Sequence, residues 1–265
     1  MDLWIYPAFF IISLLASIIG AICGIGGGVI IKPTLDLFGV ASVKTISFLS
    51  GCTVLSMSCY SVVKGILSKE QKIDMKVDMP LAIGAVVGGI AGKKLFTYCV
   101  SVFPNADRVG AIQAVCLGFV TLGTLLYTIF KNKITGKHVT SPVVGIFLGL
   151  ALGIMSSFLG IGGGPINLVV LFYFYSMETK KAARSSLYVI LFSQAASFII
   201  TLVEKSVPEF DWICLLVMVI GGIGGGVLGR KINKKIPGST VDKLFMGLMG
   251  VIILICVYNA IRFSV

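Results

Sequence analysis

One pentapeptide occurs twice in this chain, each time inside a long apolar run. It stands as Gly24-Ile25-Gly26-Gly27-Gly28 and, 136 residues later, as Gly160-Ile161-Gly162-Gly163-Gly164. At the same offset Leu35 matches Leu171, Phe38 matches Phe174, Lys44 matches Lys180, Ser50 matches Ser186 and Ser61 matches Ser197. Two glycine-broken hydrophobic segments at corresponding places in two halves of a membrane chain point to a transport site between duplicated repeats. The expected repeats are residues 1–134 and 135–265.

That the chain lives in a membrane follows from its composition. It is 57% hydrophobic and 12% charged, with a mean hydropathy of +1.02. A soluble domain carries about 25% charged residues. Ser141 to Met177 holds no charge at all and Met1 to Ile31 only Asp2, each longer than the roughly 20 residues that cross a bilayer. Asp2 stands where a signal peptide would be basic, so the N-terminal run is expected to stay in the mature protein. The net charge of +11 reflects basic residues gathered on the cytoplasmic side, and no nucleic-acid partner is expected. The seven cysteines are scattered through apolar segments without metal-ligand spacing, and neither metal nor cofactor is expected.

Eight hydrophobic segments are predicted, at about 3–40, 46–67, 79–100, 109–130, 141–176, 185–203, 211–229 and 241–262. The first and fifth exceed one straight helix. Val29 to Phe38 and Pro165 to Phe174 each span roughly 15 Å, half the hydrocarbon thickness. Each long segment therefore reads as a helix, an unwound glycine turn and a half-helix. If both half-helices turn back, the inner loops hold Lys64, Lys69, Lys72, Lys76, Lys131, Lys133, Lys137, Lys180, Lys181, Arg184, Arg230, Lys231, Lys234, Lys235 and Lys243, which is 15 of the 22 basic residues. Eight plain crossings give 13 against 9. The predicted fold is an all-α polytopic membrane protein with two repeats, each a re-entrant glycine-broken segment plus three transmembrane helices. An odd number of crossings per repeat makes the second repeat inverted relative to the first. Gly88-Gly89-Ile90-Ala91-Gly92-Lys93-Lys94 also resembles Gly225-Gly226-Val227-Leu228-Gly229-Arg230-Lys231. Small residues four apart there serve close helix packing.

Carboxylates are scarce inside the apolar segments, which argues against a cation pump. Asp36 is the exception, read either as functional or as the near-surface end of a half-helix. The glycine turns suit an anion instead. A half-helix beginning after a glycine run offers N–H groups that lack intrahelical partners, together with the positive end of the helix dipole. The candidate substrate-binding residues are accordingly Gly24, Gly26, Gly27, Gly28, Gly160, Gly162, Gly163 and Gly164, with Pro165 opening the second half-helix. Asn167, Ser50, Thr53, Ser186 and Gln194 are placed to complete the site, the two amides most strongly, since an unsatisfied amide in hydrocarbon is costly. Lys32, one turn beyond the first run, either meets the anion or snorkels to the surface.

The duplicated G-x-G-G-G, with Lys32-Pro33 after the first copy and Pro165 and Asn167 after the second, resembles the TauE/SafE sulfite exporter family over residues 8 to 260. That resemblance implies a multi-pass carrier of the prokaryotic cytoplasmic membrane, moving sulfite, sulfonates or similar sulfur-containing anions, commonly outward, and it admits a homodimer. A second reading remains open: a non-transporting membrane subunit that binds a partner protein through its small-residue faces. An enzyme is not expected, because His138 lies in a loop and no acid–base pair is apparent within the membrane.

Overall fold

Helix boundaries follow the chain's punctuation. The computed structural model describes residues 4–68, 74–103 and 106–263, so Asp2, Lys69 and Lys72 of the charge argument lie outside the described residues. The described residues form ten α-helices and one 3-10 turn. The first repeat-length half holds α1 (Ile5–Cys23), α2 (Gly28–Phe38), α3 (Val43–Leu67), α4 (Asp78–Val102) and α5 (Ala106–Phe130). The second holds α6 (Pro142–Leu159), α7 (Pro165–Tyr175), α8 (Thr179–Val203), α9 (Trp212–Lys235) and α10 (Gly238–Arg262). Eight of these are long and apolar enough to span a membrane; α2 and α7, with 11 residues each, are not. The chain is an all-helical multi-pass membrane protein.

Local chemistry sets the ends. Ser42 caps α3 by accepting from the Thr45 N–H at 3.1 Å, and Asp211 caps α9 by accepting from Ile213 at 2.7 Å. Pro142 and Pro165 open α6 and α7, where a missing N–H costs nothing. Two expected limits move outward. Helix α8 starts at Thr179 and α9 runs to Lys235, because Lys180 to Arg184 and Arg230 to Lys235 continue the helices past the apolar window on side chains that water can solvate.

Two parallel helix pairs frame the interior. Along α4, a β-carbon added at Gly84, Gly88 or Gly92 would overlap the carbonyls of Ile146, Leu150 and Ile154 on α6. Along α9, Gly221, Gly225 and Gly229 meet the carbonyls of Phe10, Leu14 and Ile18 on α1 in the same way. These glycines let the backbones touch, the role expected of them.

Helix ends gather into two faces. On face I, the Tyr6 hydroxyl donates to Asp211 at 2.8 Å and Thr45 Oγ1 donates to the Glu209 carbonyl at 3.1 Å. Arg262, ending α10, donates to the Asp36 carbonyl at 3.0 Å. On face II, Lys131 pairs with Asp242 at 2.6 Å, Lys181 with Asp74 at 3.7 Å, and Arg230 donates to Ser68. The α1–α2 pair begins and ends on face I. The α6–α7 pair begins and ends on face II, where Ser176 Oγ donates to the Lys137 carbonyl at 3.1 Å. Large apolar side chains such as Phe119, Phe147 and Leu254 point outward, while Ser50, Thr53 and Gln194 are buried. This inside-out distribution suits a protein bathed in lipid.

Candidate functional site

The two glycine runs are built alike at their entrances. Gly24 ends α1 in the left-handed region (φ 76°) and its N–H donates to Gly20 O at 2.8 Å. Gly160 ends α6 in the same way (φ 66°), donating to Ser157 O at 3.3 Å. Positive φ recurs at Gly26 (75°) and Gly162 (68°), a conformation that side chains oppose. The runs then differ. Gly27 and Gly28 are already helical, whereas Gly163 keeps a φ of 129° and Gly164 is extended before Pro165 starts α7.

The runs meet inside the molecule. A β-carbon at Gly26 would sit 3.4 Å from the Gly162 carbonyl oxygen, and one at Gly28 would overlap the Ile161 carbonyl. Because α2 leads toward face I and α7 toward face II, both half-helix N-termini point at this junction. Two positive dipole ends brought together repel each other, and an anion between them would relieve that repulsion. At Gly28 and Ile161 the backbones touch, leaving no room for one there.

The other expected residues divide into three groups. Ser50 and Ser186 occupy matching places on α3 and α8, fully buried, and neither hydroxyl has a hydrogen-bond partner among the described residues. The Asn167 side-chain oxygen on α7 is likewise buried and unpartnered. Thr53 instead bonds back to its own helix, donating to Leu49 O at 2.8 Å. Lys32 is buried and its ammonium meets Asp36 at 2.6 Å, so it neither snorkels nor stands free, and Asp36 is not at the surface. Asn259 donates to the Pro33 carbonyl at 2.9 Å, tying this charged half-helix to α10.

Gln194 leads to a cavity that the sequence did not reveal. It lies beside Gly160, between α3, α4, α6 and α8, with Lys93, Ser47, Ser157 and Gln194 on its walls. Its volume of about 30 Å³ exceeds the ~10–15 Å³ that one water needs. Gln194 donates to Ser156 at 3.2 Å, which fixes its amide. The hydroxyls of Ser47 and Ser157 have no partner among the described residues. Lys93 is 6% exposed and its ammonium lies 5.3 Å from the Phe96 ring centre. The sequence signal for Lys93 was present in the repeated glycine motif that ends in Lys93-Lys94 or Arg230-Lys231, but it read as packing alone. Ser47 sits one turn before Ser50, and only the rotation of α3 in the bundle distinguishes them.

Comparison with known proteins adds a family. The family model described as Sulfite exporter TauE/SafE matches residues 9–255. The probable membrane transporter protein YunE of Bacillus subtilis is 22% identical over 87% of this chain and 89% of its own length. The probable membrane transporter protein MJ0441 of Methanocaldococcus jannaschii is 23% identical, with 94% of each chain covered. The probable membrane transporter protein MamO of Magnetospirillum gryphiswaldense is 25% identical over 91% of this chain, which spans 43% of that longer protein. No solved structure matches the chain.

Proposed function

The chain belongs to the sulfite exporter TauE/SafE family, and from that premise we propose that it is a secondary carrier of small sulfur-containing anions, sulfite or an organosulfonate. The observation that carries this reading is the meeting of two half-helix N-termini at the paired glycine turns. A site made of backbone donors and dipole ends needs no buried cation to hold an anion. The glycines of both runs, with Pro165, shape that backbone, and Asn167, Ser50, Ser186 and Gln194 supply polar groups around it.

The direction of transport in this proposal is outward across the cytoplasmic membrane of a prokaryotic cell, with face II inside. Most of the described lysines and arginines outside the apolar windows lie on face II, as the positive-inside rule requires. The α1–α2 and α6–α7 pairs are re-entrant, and residues 1–134 and 135–265 are repeats of opposite orientation. Alternating access then requires only that the closed contact between Gly28 and Ile161 part while the repeats rock against each other. Cysteines introduced next to Lys137 and Lys181, in a background lacking the native cysteines, should both react with an impermeant reagent from the cytoplasmic side. Reaction from opposite sides would end the re-entrant arrangement.

Binding tests the substrate class. Purified protein in detergent is heated with sulfite, thiosulfate, sulfate, sulfoacetate, taurine or simple carboxylates. Selective stabilisation by a sulfur anion is the expected result, since a ligand of the folded state raises its melting temperature. Equal response to carboxylates and sulfur anions, or no response to any, contradicts it.

A further inference from the structure

A second pocket opens on face II, with a volume of about 50 Å³ and Ser61, Ala183, Arg184, Arg230, Asn233 and Lys234 on its walls. Its walls match those of the cavity beside Gly160 position by position. At the 136-residue offset, Ala21, Ser61, Gly65, Ala183 and Leu187 of one pocket correspond to Ser157, Ser197, Thr201, Ser47 and Gly51 of the other. At 137, Arg230 and Asn233 correspond to Lys93 and Phe96. Each pocket also adjoins its own glycine turn. Gly160 lies on the wall of the first, and Gly24 packs against Ala183 on the wall of the second.

We propose that these pockets are two anion stations, one for each face of the membrane, with Lys93 holding the anion on the face I side and Arg230 on the face II side. The assignment rests on the carrier reading and adds to it the groups that receive the substrate on either side of the glycine junction.

Lys93 carries the argument. It is buried, yet it makes no hydrogen bond or ion pair among the described residues, and Glu204 on the same side is engaged by Lys94 at 3.6 Å. A buried ammonium without an anion is unfavourable, so this charge is stable only where a cavity brings water or an anion to it. Two unpartnered hydroxyls, Ser47 and Ser157, share that cavity. An ammonium and hydroxyl donors suit an oxyanion with several acceptor atoms. Basic residues on face II follow from membrane orientation alone, but Lys93 lies toward face I and orientation does not account for it. Its correspondence with Arg230 makes the two a pair. The pair is unequal. The hydroxyls of Ser47 and Ser157 are replaced by Ala183 and Ala21, while Arg184 and Lys234 add charge. Recognition is therefore by fitted hydroxyls on face I and by a planar guanidinium among surface charges on face II.

The test is sided uptake in proteoliposomes of defined orientation, with labelled sulfite offered at one face at a time. Lys93→Gln should raise the half-saturating sulfite concentration about tenfold at face I and change it less than twofold at face II. Arg230→Gln should do the reverse, and Lys93→Arg should restore most of the loss. Lys93→Met, which keeps the stem, replaces Lys93→Gln should the latter not fold. Saturation unchanged at both faces, or raised equally at both by either variant, would overturn the assignment. A wild-type protein that moves no anion would remove the carrier reading alone. The stations then stand or fall on thermal stabilisation by sulfite: lost in the Lys93→Gln/Arg230→Gln protein, the assignment holds; retained in full, it fails.

Discussion

The first glycine run leads into a charged half-helix and the second into a neutral one. After Gly28 come Lys32 and Asp36, buried and paired. Their counterparts 136 residues on are Leu168 and Phe172, both buried among apolar neighbours. The same backbone device is thus carried on two different side-chain environments. What the halves share is the break in the helix, and what they do not share is how the half-helix after it is held. The turn is therefore the feature common to both halves, and the side chains beyond it hold the two half-helices by different means.

Removing one partner of the ion pair should give the largest effect. Asp36→Ala strands the Lys32 ammonium in the interior, a change that costs about 3–5 kcal/mol. Lys32→Leu/Asp36→Leu, which copies the apolar character of the second half, should recover most of it. Thermal unfolding in detergent measures both, and a double variant as unstable as the single one would mean that the first half-helix needs its charges for more than mutual compensation.

Next comes the last glycine of each run. Gly28→Ala places a methyl against the Ile161 carbonyl and should cost on the order of 3 kcal/mol. Gly164→Ala meets only the flexible end of Ile161, at 3.3 Å, with an ordinary extended backbone, and should cost less than about 1 kcal/mol. Equal losses would erase the asymmetry between the turns. The smallest expected effect is Asn259→Ala, which removes one buried hydrogen bond to Pro33 O and should cost about 1 kcal/mol.

Glycine and proline made much of this architecture legible. Positive φ and missing N–H groups leave marks in sequence, so the half-helices were expected within a residue of where α2 and α7 lie. The packing glycines of α4 and α9 could be read for a different reason, small residues spaced four apart on one helix face. Side-chain partnerships were less accessible. Asn259 and Arg262 reach α2 from 226 residues away, and no spacing announces them. Lys32 and Asp36, four apart on one helix face, were a readable pair that considering each residue singly concealed. Lys93, Ser47 and Ser157 come together only through the crossing of three helices.

The central claim is that this chain carries a small sulfur-containing anion through the closed junction of its glycine turns. Counterflow in proteoliposomes tests it most directly: vesicles loaded with unlabelled sulfite, holding the purified protein, receive a trace of labelled sulfite outside. The expected result is saturable accumulation above the level of protein-free vesicles, competed by unlabelled sulfur anions and abolished by Gly28→Ala in whatever fraction of that variant remains folded. Labelled sulfite entering no faster than through protein-free vesicles, with the same outcome for thiosulfate and sulfoacetate, would contradict it.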